Sequence, residues 1–143
     1  MIEILTTTLE FETKGLTDII DITDQIHNEI KSRQFSEGNV LIFGSGSTSG
    51  ITTIEYEPGL LKDYPAFFEK IIPSNISYFH DETWNDANGY SHVRASLQGC
   101  SLTVPFKDGK LLLGTWQQIV LIDFDNTPRK RKLVLQITGK KVK

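Results

Sequence analysis

From Leu102 onward the chain reads strand upon strand. Leu102–Phe106, Leu111–Leu113, Gln117–Phe124 and Lys132–Ile137 are short apolar or alternating runs, and Lys107-Asp108-Gly109 forms a hairpin turn between the first two. Helical patterns occur earlier, but they do not alternate with strands as βαβ repeats require. The sequence therefore predicts an α+β fold, with a mostly antiparallel β-sheet core and a few helices packed on one side. Its 143 residues fit a single domain, 1–143.

The first half supplies the helices. Residues 3–13 alternate Leu5, Leu9 and Phe11 with threonines and glutamates, which predicts a half-exposed strand turned by Lys14-Gly15. Thr23 is a candidate N-cap, with Asp24 in the first turn and Ile26 and Ile30 on one face of a helix reaching about Arg33. Val40–Phe43 is a buried strand, Gly44–Gly50 breaks it, and Ile51–Tyr56 resumes as a strand. Pro58-Gly59 ends that strand. Asp63 is the predicted cap of a second helix, with Pro65 in its first turn and Phe67, Phe68, Ile71 and Ile72 on its apolar face. Tyr90–Leu97 predicts a short helix closed by Gly99.

Composition narrows the function classes. One cysteine, Cys100, excludes an internal disulfide, and its place beside Gly99 fits a small apolar residue at an element boundary. No run approaches a membrane span, and Met1-Ile2-Glu3-Ile4 lacks a signal peptide's basic start. A cytoplasmic protein without membrane contact is expected. Residues 129–143 hold seven basic side chains and no acid, although the whole chain carries −3. Leu133, Leu135 and Ile137 alternate within that run, so its lysines are expected to solvate an edge or answer an acidic neighbour. No aromatic residue interleaves with the basic run, which argues against nucleic acid.

The chemistry concentrates in residues 78–92. His80 and His92 bracket Asp81, Glu82, Asp86 and Asn88, with Trp84 and Tyr90 interleaved. Two imidazoles, one carboxylate and an open position can hold zinc or a similar divalent metal, and His80, His92 and Asp86 are the candidate ligands. His80, His92, Asp81 and Glu55 are candidate catalytic groups, Glu55 because a carboxylate in an apolar strand needs a partner. The alternative is two hydrogen-bonded structural histidines, the reading given to His27 in the first helix.

Three further groups are candidates for holding a ligand. The Gly44–Gly50 loop offers Ser47, Thr48 and free amides, either as an anion nest or as a plain hairpin connection. It is not a Walker loop, because no Gly-Lys-Ser/Thr follows. Gln117 or Gln118, opening a buried-looking strand, can hydrogen-bond a ligand or a neighbouring subunit, and Trp116 is expected in core or interface packing. Arg129 or Arg131 can clamp a phosphate or carboxylate, or can close a salt-bridged surface turn with Asp123 and Asp125.

Five motifs occur in order: Gly46-Ser47-Thr48-Ser49-Gly50-Ile51-Thr52-Thr53-Ile54-Glu55, Tyr78-x-His80-Asp81, Asp86-x-Asn88-Gly89-x-Ser91-His92, Leu113-Gly114-Thr115-Trp116-Gln117, and Asp123-Phe124-Asp125 followed by Pro128-Arg129-x-Arg131. In these the chain closely resembles the YjbQ-like family, which carries the label secondary thiamine-phosphate synthase. The resemblance implies a β-rich α+β subunit of YjbQ-like fold. It implies a homotrimer with an often metal-bearing site around the histidine motifs, near subunit contacts. Many members have histidine where this chain has Gly46, so a carboxylate or water must complete any metal shell here. The expected function is a metal-assisted enzyme acting on a phosphorylated small molecule, with thiamine-phosphate-synthase-like transfer implied by the label. The alternative is a non-enzymatic trimer that binds a metal or a phosphorylated ligand.

Overall fold

The computed structural model describes residues Met1–Lys143. In chain order the elements are β1 (Glu3–Thr13), β2 (Asp18–Asp21), α1 (Thr23–Ser32), β3 (Phe35–Gly44), β4 (Ser49–Ile54), α2 (Pro58–Ile71), α3 (Phe79–Trp84), α4 (Gly89–Gln98), β5 (Ser101–Lys107), β6 (Lys110–Leu111), β7 (Gln118–Asp123) and β8 (Arg129–Lys141). They form a five-stranded sheet in the order β1-β8-β3-β5-β6 and a three-stranded sheet in the order β2-β7-β4. Every pairing is antiparallel. The α+β architecture read from the sequence is the one observed. No helix is long and apolar enough to cross a membrane.

β7 explains how the layers stack. Ile119 and Leu121 point into a core shared with Val40, Ile42, Leu133, Leu135 and Ile137 of the large sheet and with Ile26 and Ile30 of α1. Val120 and Ile122 point the other way, into a core with Phe68 of α2 and Tyr90 and Ala95 of α4. Because successive side chains alternate faces, a strand buried on both sides must be apolar throughout, as 119–122 is. The small sheet thus lies between the large sheet and the helices α2 and α4.

Several element boundaries differ from the sequence reading. β2 falls on Asp18–Asp21, too short for its two isoleucines to show a period. α2 begins at Pro58 rather than near Asp63. The Glu57 carboxylate accepts hydrogen bonds from the Gly59 and Leu60 amides, and a proline at the first helical position needs no partner for its missing N–H. Pro65 consequently lies inside the helix. β8 runs well beyond 132–137 because β1 pairs with it along its whole length, from Glu3↔Gly139 to Thr13↔Arg129. This register sets Glu10 and Glu12 opposite Lys132 and Lys130, so the basic run faces an acidic strand.

One polar contact ties the two sheets together. Asp123 ends β7 and is fully buried, and Arg131, 12% exposed by its side chain, lies near the start of β8. Arg131 donates from Nε and Nη2 to the two Asp123 carboxylate oxygens, both at 2.7 Å. Thr13 of β1 donates to the same carboxylate at 2.5 Å, and the Asp125 amide donates at 2.9 Å. The pair is bidentate, and neighbours satisfy its remaining lone pairs, the condition under which a buried ion pair can be tolerated. Asp123→Asn should destabilise the fold by about 3–5 kcal/mol, because it strands the Arg131 charge. Replacing both residues with apolar side chains should restore much of the loss, as read from urea midpoints.

Candidate metal and anion site

Three segments meet where the two sheets join. The register Ser49↔Asp123 sets the start of β4 beside the end of β7, and the Phe124 amide donates to the Thr48 carbonyl at 2.9 Å. β8 leaves the same corner. Asp125, almost fully buried, is the hub. Its carboxylate accepts from Thr48 Oγ1 at 3.0 Å, Asn88 Nδ2 at 3.2 Å, Arg129 Nε at 2.9 Å and the Asn126 amide at 2.8 Å. The β3–β4 connection, the α3–α4 loop and the β7–β8 turn are therefore held by one side chain. Burial alone would raise the Asp125 carboxyl, but hydrogen bonds from Asn88, Asn126, Thr48 and Arg129 hold it below the usual range.

The histidines come from the helices. Asp81 joins α3 to α4: one carboxylate oxygen accepts from the Tyr78 amide at 3.0 Å, the other from the Gly89 amide at 2.9 Å. Between the helices, Asn85 and Ala87 adopt left-handed backbone, φ 54° and 56°. This double reversal carries Asp86 back over His80, leaving His80 Nδ1 at 3.6 Å from Asp86 Oδ1. That is too long for a hydrogen bond, and the buried Nδ1 has no other partner. Two ligands bonded at about 2.0–2.2 Å to one tetrahedral ion lie about 3.3–3.5 Å apart, close to this spacing. Ligating atoms of His80, Asp81 and Asp86 all lie within 4.8 Å of one another.

His92 stands beside this group without joining it. Its ring lies against that of His80, with centroids 4.2 Å apart and planes inclined by 37°. Burial, then the neighbouring His80, lower its pKa, against opposing pulls from Asp125 and Asp86. His92 faces a cleft of about 290 Å³ whose walls include Gly46, Ser47, Asn88, Arg129 and Arg131. A larger cavity of about 490 Å³ lies at the opposite end of β3 and β8, between α1 and the β5–β6 turn. It holds no cluster of metal-ligating groups.

Most of the residues singled out in the sequence converge here, but not all in the expected role. Ser47 is exposed at the cleft, whereas the Thr48 hydroxyl is committed, donating to Asp125 and accepting from Arg131 Nη2 at 2.6 Å. Asp81 serves first as a backbone joint. The acidic turn is not a surface feature, since Asp123 and Asp125 are both buried. Arg129 keeps its terminal nitrogens free of protein partners and is half exposed. A Cβ on Gly46 would lie 3.2 Å from Arg131 Nη1, so glycine there leaves that guanidinium edge open. Glu55 and Gln117 do not belong to the site. Glu55 follows the end of β4 and is exposed. Gln117 bonds Gly114 and Thr53. Both lie just beyond the far end of the β4–β7 pair, six residue steps of about 3.3 Å from Ser49 and Asp123. Trp116 is exposed rather than packed in the core.

The residue missed from the sequence is Asp125 as an organiser. Its signal was present: two acids at i and i+2 closing an apolar run, then two arginines at the same spacing. Because its folded pKa is depressed, Asp125 contributes stability above the ordinary aspartate value of about 3.9. That contribution is lost as pH falls through the lower folded value. Asp125→Asn should therefore lower stability at pH 7 and weaken its fall below pH 4, as measured by urea unfolding across pH.

Comparison with known proteins places the chain as a whole. The family model described as UPF0047 protein YjbQ-like matches residues 7–140. A UPF0047 protein of Archaeoglobus fulgidus is 40% identical over 128 residues, covering 90% of this chain and 97% of the relative. YugU of Bacillus subtilis, also a UPF0047 protein, is 31% identical, covering 92% and 98%. The fold matches the crystal structure of a YbjQ-like protein of unknown function from Sulfolobus solfataricus, with TM-score 0.90, 27% identity, and 98% and 100% of the two chains covered. It also matches an uncharacterised YjbQ/UPF0047 protein of Clostridium acetobutylicum, with TM-score 0.83, 32% identity, and 92% and 98% covered. The chain belongs to the YjbQ-like UPF0047 family.

Proposed function

We propose that this chain is a metal-assisted enzyme acting on a phosphorylated small molecule, working in the cytoplasm as a homotrimer. The observation that carries the reading is the contact between the His80 and His92 rings, at the edge of a cleft that also presents Ser47 and two guanidinium edges. His80, Asp86 and Asp81 fit a divalent cation, zinc or similar: an orphaned imidazole nitrogen beside two carboxylates is a mixed N/O donor set. When bound, the cation would supply positive charge against phosphate or lower the pKa of a water.

A cation would supply positive charge that the cleft's own groups lack. Arg129 and Arg131 are paired with Asp125 and Asp123, so these four groups sum to zero formal charge. The arginines then act as directed N–H donors to phosphate oxygens more than as a positive field. His92, held towards its neutral form, offers a ring nitrogen that can take a proton from a ligand hydroxyl or water. In a thiamine-phosphate-synthase-like transfer, Arg129, Arg131 and Ser47 would face the leaving pyrophosphate. Association with further copies is supported by large exposed apolar side chains, among them Phe79 at 88%, Trp84 at 71% and Trp116 at 71%.

A second reading, a trimer that binds a metal or phosphorylated ligand without turnover, is favoured by one feature. Thr48, Asp81 and Arg131 already spend much of their bonding capacity inside the fold. A metabolite panel separates the two, through turnover on one side and thermal stabilisation without turnover on the other. His80→Ala should abolish uptake of Zn²⁺ by elemental analysis, whereas His92→Ala should retain the metal and lose activity. Unchanged metal content in His80→Ala would overturn the assignment.

A further inference from the structure

Polar side chains buried in this protein are almost all paired, and the exceptions are not scattered. Three buried side-chain atoms have no hydrogen-bond partner: His80 Nδ1, Asn88 Oδ1 and Ser91 Oγ. All three belong to one stretch of twelve residues, in α3, α4 and the loop between them. Unpaired buried groups call for a partner, and several of them close together in the chain are an invitation to an ion or to water.

Asn88 is the most informative of the three. It is 5% exposed, and its orientation is set by its neighbour. Asp125, ionised, can only accept, so the carboxamide must turn its Nδ2 toward Asp125, and does so at 3.2 Å. The carbonyl oxygen is thereby turned away from Asp125. Asn88 is also tied to the histidine cluster by its position. Asp86 lies two residues before it, the Gly89 amide after it donates to Asp81, and the His92 amide donates to its main-chain carbonyl at 3.4 Å. The ring of that same His92 rests on His80.

We propose that Asn88 supplies its side-chain carbonyl oxygen as a further ligand to a divalent cation held by His80 and Asp86. The inference rests on the metal reading above and extends it from a three-residue group to a fourth, uncharged donor. The resulting set, one imidazole, two carboxylates and one carboxamide, is rich in oxygen. Such a set accommodates Mn²⁺ as well as Zn²⁺. It also makes Asn88 a bridge, one end of its amide on the cation and the other on the carboxylate that organises the anion cleft.

Calorimetric titration of the full chain with Mn²⁺ and with Zn²⁺ tests the assignment. Asn88→Ala should weaken binding of both ions by at least about tenfold, the low end of the loss that removing even an outer-shell partner of a metal ligand produces. Because Asn88 also anchors Asp125, a second measurement leaves the side chain in place. In the wild-type chain, the Asn88 side-chain carbonyl ¹³C resonance should shift in proportion to added Zn²⁺ and saturate at one equivalent. Binding of either ion with equal affinity in Asn88→Ala, or a resonance that does not move as Zn²⁺ binds, overturns the ligand role alone. A wild-type chain that takes up neither ion overturns the metal reading and this inference together.

Discussion

The ion pair between Asp123 and Arg131 is the contact on which the architecture turns. It joins the last residue of the small sheet's central strand to the large sheet and takes a hydrogen bond from β1 as well. Desolvating both charges is expensive, and the cost is offset only because the geometry is bidentate and the remaining lone pairs are filled. The pair does more than hold sheets. It fixes the corner from which the β7–β8 turn departs, and so sets where Asp125 and Arg129 stand.

From that corner the site is assembled by hydrogen bonds to one buried carboxylate. Asp125 gathers a hydroxyl, an amide side chain and a guanidinium from three separate segments. The histidine side is organised by a parallel device, with Asp81 pinning two helix starts through their backbone amides. Both devices place acids where backbone or side-chain donors converge. The cleft-facing groups left over, His92, Ser47 and the outer edges of the two arginines, are those with spare bonding capacity.

Much of the fold was legible in the sequence, because amphipathic periods and turn residues report local structure. The alternation of 3–13, the Ile26/Ile30 face and the Lys107–Gly109 turn each mapped onto an element. β2 was not legible, since four residues carry no period. The start of α2 was hidden because Pro58-Gly59 reads equally as a strand end or a helix start, and only the Glu57 side chain decides. Within the site, His80 and Asp86 stood out at short sequence range as candidate ligating groups, whereas His92, expected among them, lies against the His80 ring outside that group. Glu55 and Gln117 were misplaced because sequence shows that a polar residue borders a strand but not which end of the strand meets the site. The burial of Asp123 and Asp125 depended on partners well separated from them in sequence, at Thr13, Thr48 and Asn88.

β7 has no free side. Each of its central residues fills one of two cores on opposite faces, and its end carries the carboxylates that organise the site. Evolutionary drift along this strand is therefore confined from both directions at once. A substitution tolerated by one core still shifts the platform under Asp123 and Asp125. Divergence within such a fold has its freest path through the exposed positions of the β3–β4 connection and the α3–α4 loop, such as Ser47 and Asp86, which belong to neither packed layer.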